Sequence, residues 1–490
     1  MTASTNSARI ISTEPGLAAV CKNSDQKQAG PYKHGGRWLK SCHHVRRARL
    51  ASAHRTSQIS TIPLRQRQVK RLPYAMSSIP PVRRGLTALI MLCAATTVLA
   101  QTSASTVHDS AGIRIVENAR PLWTTASAWT LSATPVLLFG SRDEPAYTFA
   151  RVGAATRLSD GRIVVAERAN VHLRVFDSTG RYLRTMGRKG QNPGEFTDIG
   201  IMMRLPGDSL AVESMQYTSI FSPEGQFVRR VDYGPFAPGM LQSPFVAVIG
   251  RFTDGSTVVG NLPQGRRGGR GKARWTDSST LLLVDQSGAV VRQVDRVPAV
   301  SFGASVYAPT PLTFGPELVQ ASAANHVYLG FGDQYAIREY DAGWTLRRII
   351  RRAWKPQPLT SADITTYVDA WMTLWSTDNG EVRERDRLAR LNASFPDALP
   401  AFVDFLASPS GELWLRDPDL AGAASCACLT SVTAGPSLWS VFDASGRWLG
   451  RVTMPPQFTP AEVGRDYVLG HRREANGVVR IAMYRIVKPG

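Results

Sequence analysis

Residues 157–187 read RLSDGRIVVAERANVHLRVFDSTGRYLRTMG, and the order of strands and turns in this stretch decides the fold. A short strand ends at the Asp160-Gly161 turn. A second, apolar strand runs toward Glu167. A third ends in the pair Val175-Phe176 before Asp177, and Gly180 then supplies the positive φ that a tight hairpin needs. A fourth strand, to about Met186, closes the unit.

The same pattern recurs down the chain, with the start of each copy at residues 157, 204, 251, 321, 407 and 464. Its first turn returns as Asp254-Gly255 and Ser410-Gly411. Its third strand returns as Leu283-Val284-Asp285 and Val441-Phe442-Asp443. Gly225, Gly288, Gly343 and Gly446 stand where Gly180 does. Four antiparallel strands per copy, six copies and no helices between strands imply an all-β fold, a six-bladed β-propeller. The last copy runs out of chain after three strands. The alternating segment Gly112–Glu117 is therefore expected to supply the outer strand of blade six and close the ring.

The segment Gly187–Phe196, GRKGQNPGEF, resembles the G-x-G-x-x-P-G-x-F connector of NHL repeats. The preceding VFDSTG is similar to that family's VFD-x-x-G. The resemblance implies a secreted bacterial propeller of the NHL-repeat-like group, sharp over the first two blades and architectural over residues 110–490.

Three segments interrupt the repeat. The first, 262–279, contains Arg266, Arg267, Arg270, Lys272, Arg274 and Trp275. Arginine forks among glycine amides suit phosphate, sulfate or carboxylate, and Trp275 could stack on a sugar or base. The second, 355–400, is a helical insert between blades four and five. Thr360-Ser361-Ala362-Asp363 starts a helix over about 361–376, and Glu381–Arg390 is a second candidate. The third, 418–437, holds Cys426 and Cys428, the two cysteines that remain downstream of residue 100. In a propeller all three would crowd one face.

The net charge of +20 points toward polyanions until it is placed. Residues 1–75 hold 14 Lys/Arg against 2 Asp/Glu, and only about +6 remains beyond residue 100. Arg83-Arg84, the apolar run to Leu99 and the small residues Val98 and Ala100 read as a secretory signal over 76–100, too short for a comfortable membrane span. Translation is expected to start at Met76; a basic disordered tail is the alternative for 1–75. Periplasmic or extracellular export argues against nucleic acid as partner. A monomer that binds a protein, peptide or glycan, with an anionic one favoured by the basic segment, is the expected role.

A rival reading is a metal-assisted hydrolase or lyase of the six-bladed lactonase type. The ends of the second strands align Glu167, Glu213, Asn261, Phe331, Asp417 and His471. Of these, Glu167, Glu213, Asn261 and Asp417 are candidate calcium ligands, since hard oxygens hold that ion. The alternative for these positions is hydrogen bonding within the hairpin. Beyond residue 100 the histidines are His108, His172, His326 and His471, and no G-x-S-x-G or H-E-x-x-H motif occurs.

Overall fold

A computed structural model of the chain describes residues 103–214, 216–234, 236, 246–261, 274–303, 310–323, 325–375, 379–420 and 435–489. The proposed leader and signal, Arg266, Arg267, Arg270, Lys272, Cys426 and Cys428 lie outside the described residues.

The described residues form mostly strands, arranged in six sheets, with two α-helices. The first sheet (152–186), second (202–232) and fifth (404–454) each hold four antiparallel strands in chain order. The third (246–303) gains a short fifth strand, Thr310–Pro311. The fourth (319–352) gains two strands, and the sixth (458–487) is completed from the N-terminal side of the chain.

The second strand of the first sheet, Ile163–Glu167, is buried along its whole length. Its side chains alternate between two cores. Ile163 and Val165 pack with Leu469 and Ile481 of the sixth sheet, whereas Val164 and Ala166 pack with Phe196 of the connector and with Leu210 and Phe221 of the second sheet. A strand covered on both faces must be apolar throughout, which is why this one does not alternate in sequence. Similar clusters fill the junctions between second and third, third and fourth, fourth and fifth, and fifth and sixth sheets.

In the first, second, third and fifth sheets the glycine of the turn between third and fourth strands presses against the sheet before it. Gly180 has φ +87°, and a Cβ there would come within 2.7 Å of the Phe139 ring in the sixth sheet. Gly288 has φ +92°, and its Cβ would meet the Asp232 carbonyl oxygen of the second sheet at 2.0 Å. Both positions need glycine twice over, for the backbone conformation and for the close approach. The aspartate three residues earlier shapes the turn. Asp177 accepts from the backbone N–H groups of Thr179 and Arg181, each at 2.9 Å, and the Thr179 hydroxyl bond holds its carboxyl down at about 2. In the fourth sheet the equivalent of Gly180 is not Gly343 but Trp344, at φ +56°. Its ring stacks on Tyr340 at 4.4 Å, and this packing replaces the freedom a glycine would give.

The N-terminal strand departs from expectation. Ile113–Asn118 does not join the sixth sheet; it pairs in parallel with Leu346–Arg352, the outer strand of the fourth, and Ser105–Ser110 folds back on it. The period-2 pattern marks a strand with one buried face but does not name the edge it will join. Val116 is fully buried, and the Cβ that Gly446 lacks would lie 3.5 Å from its side chain. The chain then bonds along the fifth sheet, through Leu122 N–H to Trp448 O and Trp123 N–H to Leu449 O. Only after this do Thr130–Leu131 and Leu137–Phe139 pair with Val479–Val487 of the sixth sheet. Residues 103–139 thus strap the outer edges of three successive sheets.

Asn118 fixes the strap. It is 2% exposed and donates from Nδ2 to the carbonyls of Arg351 (2.9 Å) and Gly446 (3.0 Å). Its Oδ1 accepts from Trp448 N–H at 2.8 Å. The Asn118→Ala variant removes the partner of three backbone groups, two of them in buried bonds, so it is expected to lose about 2–4 kcal/mol in urea-unfolding free energy. A loss below about 0.5 kcal/mol, the range of ordinary surface substitutions, would show that the strap is not held this way.

Candidate functional site

An ion pair links the first insertion to the second, and the third packs against the second. The third strand of the third sheet, Arg274–Val284, pairs with Val290–Gly303 and runs well beyond its neighbour Thr257–Asn261. The helical insert comprises α1 (Ser361–Trp375) and α2 (Gly380–Leu391). Thr360 and Asp363 cap α1 reciprocally, with Asp363 Oδ2 accepting from Thr360 N–H at 2.9 Å and the Thr360 hydroxyl accepting from Asp363 N–H at 3.2 Å. Val368 and Met372 of α1 bury against Phe314, Phe395 and Leu399, and Leu420, at the start of the third insertion, packs against the same cluster. Arg274 pairs with Asp397 at 2.8 Å across the two insertions. This apolar cluster is separate from those between the sheets.

Two residues of the expected basic site are therefore placed differently from a loop. Arg274 and Trp275 lie in a strand, and the Trp275 ring stacks on Phe302 at 5.8 Å with an interplanar angle of 18°. Strand pairing with Phe302 and Ser301 extends the ribbon over residues that composition alone made look like loop.

The four expected calcium ligands are placed at strand ends, each with scaffold partners. Glu167 is fully buried and accepts from Ala150 N–H (3.1 Å), Arg151 N–H (2.8 Å) and Ala169 N–H (3.2 Å). Glu213 accepts from Val248 N–H of the third sheet at 2.8 Å. Asn261 Oδ1 accepts from Thr280 N–H at 2.6 Å. Asp417 pairs with Arg451 at 2.8 Å and Arg352 at 3.6 Å, and takes the Ser440 hydroxyl at 3.0 Å. Among the described residues no group of three or more His, Cys, Asp or Glu side chains stands close enough to hold a metal ion. Phe331, aligned with them, is buried.

A trough of about 560 Å³ opens between the strap and the fourth sheet. Its walls are the strap, at Glu117 and Asn118, and the end of the fourth sheet, at Arg351, Arg352 and Trp354, with Tyr335 at its floor. The Arg352 guanidinium lies between two aromatic rings, 4.0 Å from Tyr335 and 4.5 Å from Trp448. Arg351 pairs with Glu117 at 2.9 Å, and both remain substantially exposed, at 44% and 39%. Sequence reasoning missed this site because Glu117 and Arg351 are brought together only by the strap. The one local signal is the run Arg351-Arg352-Ala353-Trp354 at a strand end, two cations and an indole with no role in the repeat.

Residues 153–203 match the model of a family described as a 6-bladed beta-propeller, DUF5128. No curated protein matches the chain. Among solved structures, the chain is similar to a DUF4221 member from Bacteroides vulgatus, at 10% identity and TM-score 0.45, covering 74% of this chain and 100% of that one. A Bacteroides fragilis protein described as exported aligns at 10% identity and TM-score 0.43, covering 76% and 99%. A Xanthomonas campestris gluconolactonase aligns at 10% identity and TM-score 0.35, covering 74% and 99%. Among the described residues no helix is long and apolar enough to cross a membrane.

Burial pushes the Glu213 carboxyl up to about 7 from an ordinary 4.5, against the pull of the Val248 and Ile201 amides. Between pH 4.5 and 7 the native state therefore binds more protons than the unfolded chain, and stability falls as pH rises. The thermal midpoint is expected to drop across this window and to level above it. In Glu213→Gln the drop should be shallower; an unchanged slope would mean that Glu213 is charged when folded.

Proposed function

We propose that the chain is an exported, six-bladed β-propeller that acts as a binding module and meets its partner on the face carrying the insertions. The observation that carries this reading is that three sequence-distant insertions meet: Met372 and Phe395 of the second share an apolar cluster with Leu420 of the third, and Arg274 of the first pairs with Asp397 of the second. Rigid scaffolds of repeated strands place function in such added loops. The ring is supported by the core shared between the sixth and first sheets and by Glu462, whose carboxylate takes the Thr156 hydroxyl and the Arg157 N–H. Export is supported by Arg83-Arg84, the apolar run after them and Ala100.

The partner class is a protein, peptide or glycan. A lactonase-like hydrolase would need Glu167, Glu213 and Asp417 free to converge on metal or substrate. Their bonds to backbone amides and arginines favour binding over catalysis.

The test is an array of oligosaccharides and peptides probed with the full chain, alongside a variant in which residues 355–400 are replaced by a short Gly-Ser linker. Specific spots, weakened by about tenfold or more in the variant while its strand signal in circular dichroism persists, are expected. No spots, together with δ-valerolactone hydrolysis lost in Glu167→Gln and Asp417→Asn, would overturn the binding reading in favour of the enzyme.

A further inference from the structure

We propose that the trough between the strap and the fourth sheet binds an acidic sugar, a carboxylate-bearing pyranose of a glycan. This deepens the binding reading and rests on it: the trough borders the second insertion, which the chain enters directly from the trough residue Trp354.

Its size comes first. About 560 Å³ lies within the ~300–1,000 Å³ of small-molecule sites. An inorganic anion would leave most of it unused.

Charge comes second. Asp417 is shared by Arg352 and Arg451, and Glu117 is taken by Arg351. Three guanidiniums against two carboxylates leave one positive charge around the trough. Arg352 is 5% exposed on its side chain and is clamped between Tyr335 and Trp448, with a further bond to the Ser440 hydroxyl. Its Nε has no hydrogen-bond partner among the described residues. So placed, it acts as a fixed, buried positive charge, where screening by water is weak. A ligand carboxylate is the complement, with the exposed Arg351 as its direct contact.

Third, the walls offer more than charge. The half-exposed Arg351–Glu117 pair sets donors beside acceptors, and the exposed Gln334 amide adds both. Vicinal hydroxyls satisfy such groups; a purely apolar ligand would leave them unpaired. Trp354 is partly exposed and packs its other side on the core between fourth and fifth sheets, so the indole is a rigid platform for the C–H face of a ring. Carboxylate, hydroxyls and an apolar ring face together describe a uronic-acid residue.

The experiment is calorimetric titration of the full chain with trigalacturonate and, separately, with neutral xylotriose. Trigalacturonate is expected to bind at least about tenfold more tightly than xylotriose. Trp354→Ala and Arg351→Gln should each weaken it by about tenfold, and Trp354→Phe should recover most of the loss. The triple variant R266A/R267A/R270A should bind as the parent does. Were Trp354→Ala to fail to fold, Arg351→Gln and Trp354→Phe read the same contact. Equal affinity for the neutral sugar overturns the proposal. So does binding lost in the triple variant but kept in folded Trp354→Ala, which would assign the anion to the basic insertion. An array with specific spots but no heat from trigalacturonate overturns the sugar assignment and leaves the binding reading standing.

Discussion

The architecture depends on one recurring contact, a hairpin turn of one sheet pressed without a side chain against the outer strand of the sheet before it. Gly180 meets Phe139, Gly225 meets Met186, Gly288 meets the Asp232 backbone and Gly446 meets Ile350. The third and fourth sheets use a polar version, in which Arg292 donates to the Gly343 carbonyl at 2.6 Å. This contact sets the distance between successive sheets, and that distance sets what the sheets can bury. With two cores sharing each strand, the strands must be short and apolar on both faces, as Ile163–Glu167 is. The turn aspartates follow from the same demand. Asp177, Asp285, Asp341 and Asp443 each accept from backbone N–H groups within their own turn, which holds the loop narrow enough to fit the groove.

Polar side chains at the ends of the inner strands do complementary work. Asp208 of the second sheet accepts from Ser159 N–H of the first at 2.9 Å, and Asn325 of the fourth accepts from Thr253 N–H of the third at 2.8 Å. Glu213 ties second to third sheet, and Glu462 ties sixth to first. Leaving such a buried group unmet is costlier than the bond itself is favourable. The ties therefore select one lateral position for each sheet, where apolar contact alone would tolerate sliding. Carboxylates at strand ends resemble a ligand set in sequence because the same residue types suit both tasks.

Much of the architecture was legible because it is local. The turn glycines, the strand spacing and the capped α1 all depend on residues within a few positions of one another. What was not legible is long-range. Ile113–Asn118 carries a strand pattern, but its partner is chosen by Asn118 meeting Arg351, Gly446 and Trp448, more than 200 residues away. Trp344 takes the left-handed position because Tyr340 stacks on it, a compensation that composition does not announce. Trp275 looked available in a basic loop, yet strand pairing sets its ring against Phe302. The insertions could be counted from the sequence, but the apolar cluster shared by the second and third could not. The trough was wholly hidden, since one wall exists only after the strap has docked.

That dependence separates two kinds of change. The sheet junctions are bound by turn glycines, inter-sheet cores and polar ties, and none of these lies in the insertions. The second and third insertions share an apolar cluster around Phe395, apart from the cores between the sheets, so they can vary with little cost to the scaffold. The strap belongs to both. Its buried side, at Val116 and Asn118, is scaffold; its exposed side, at Glu117, faces Arg351 across the trough. A strand that alternates between core and solvent puts these duties on neighbouring residues. Fixing Asn118 in the junction therefore fixes Glu117 at the trough, and the packing that holds the edges of three sheets also sets the geometry in which a ligand would be met.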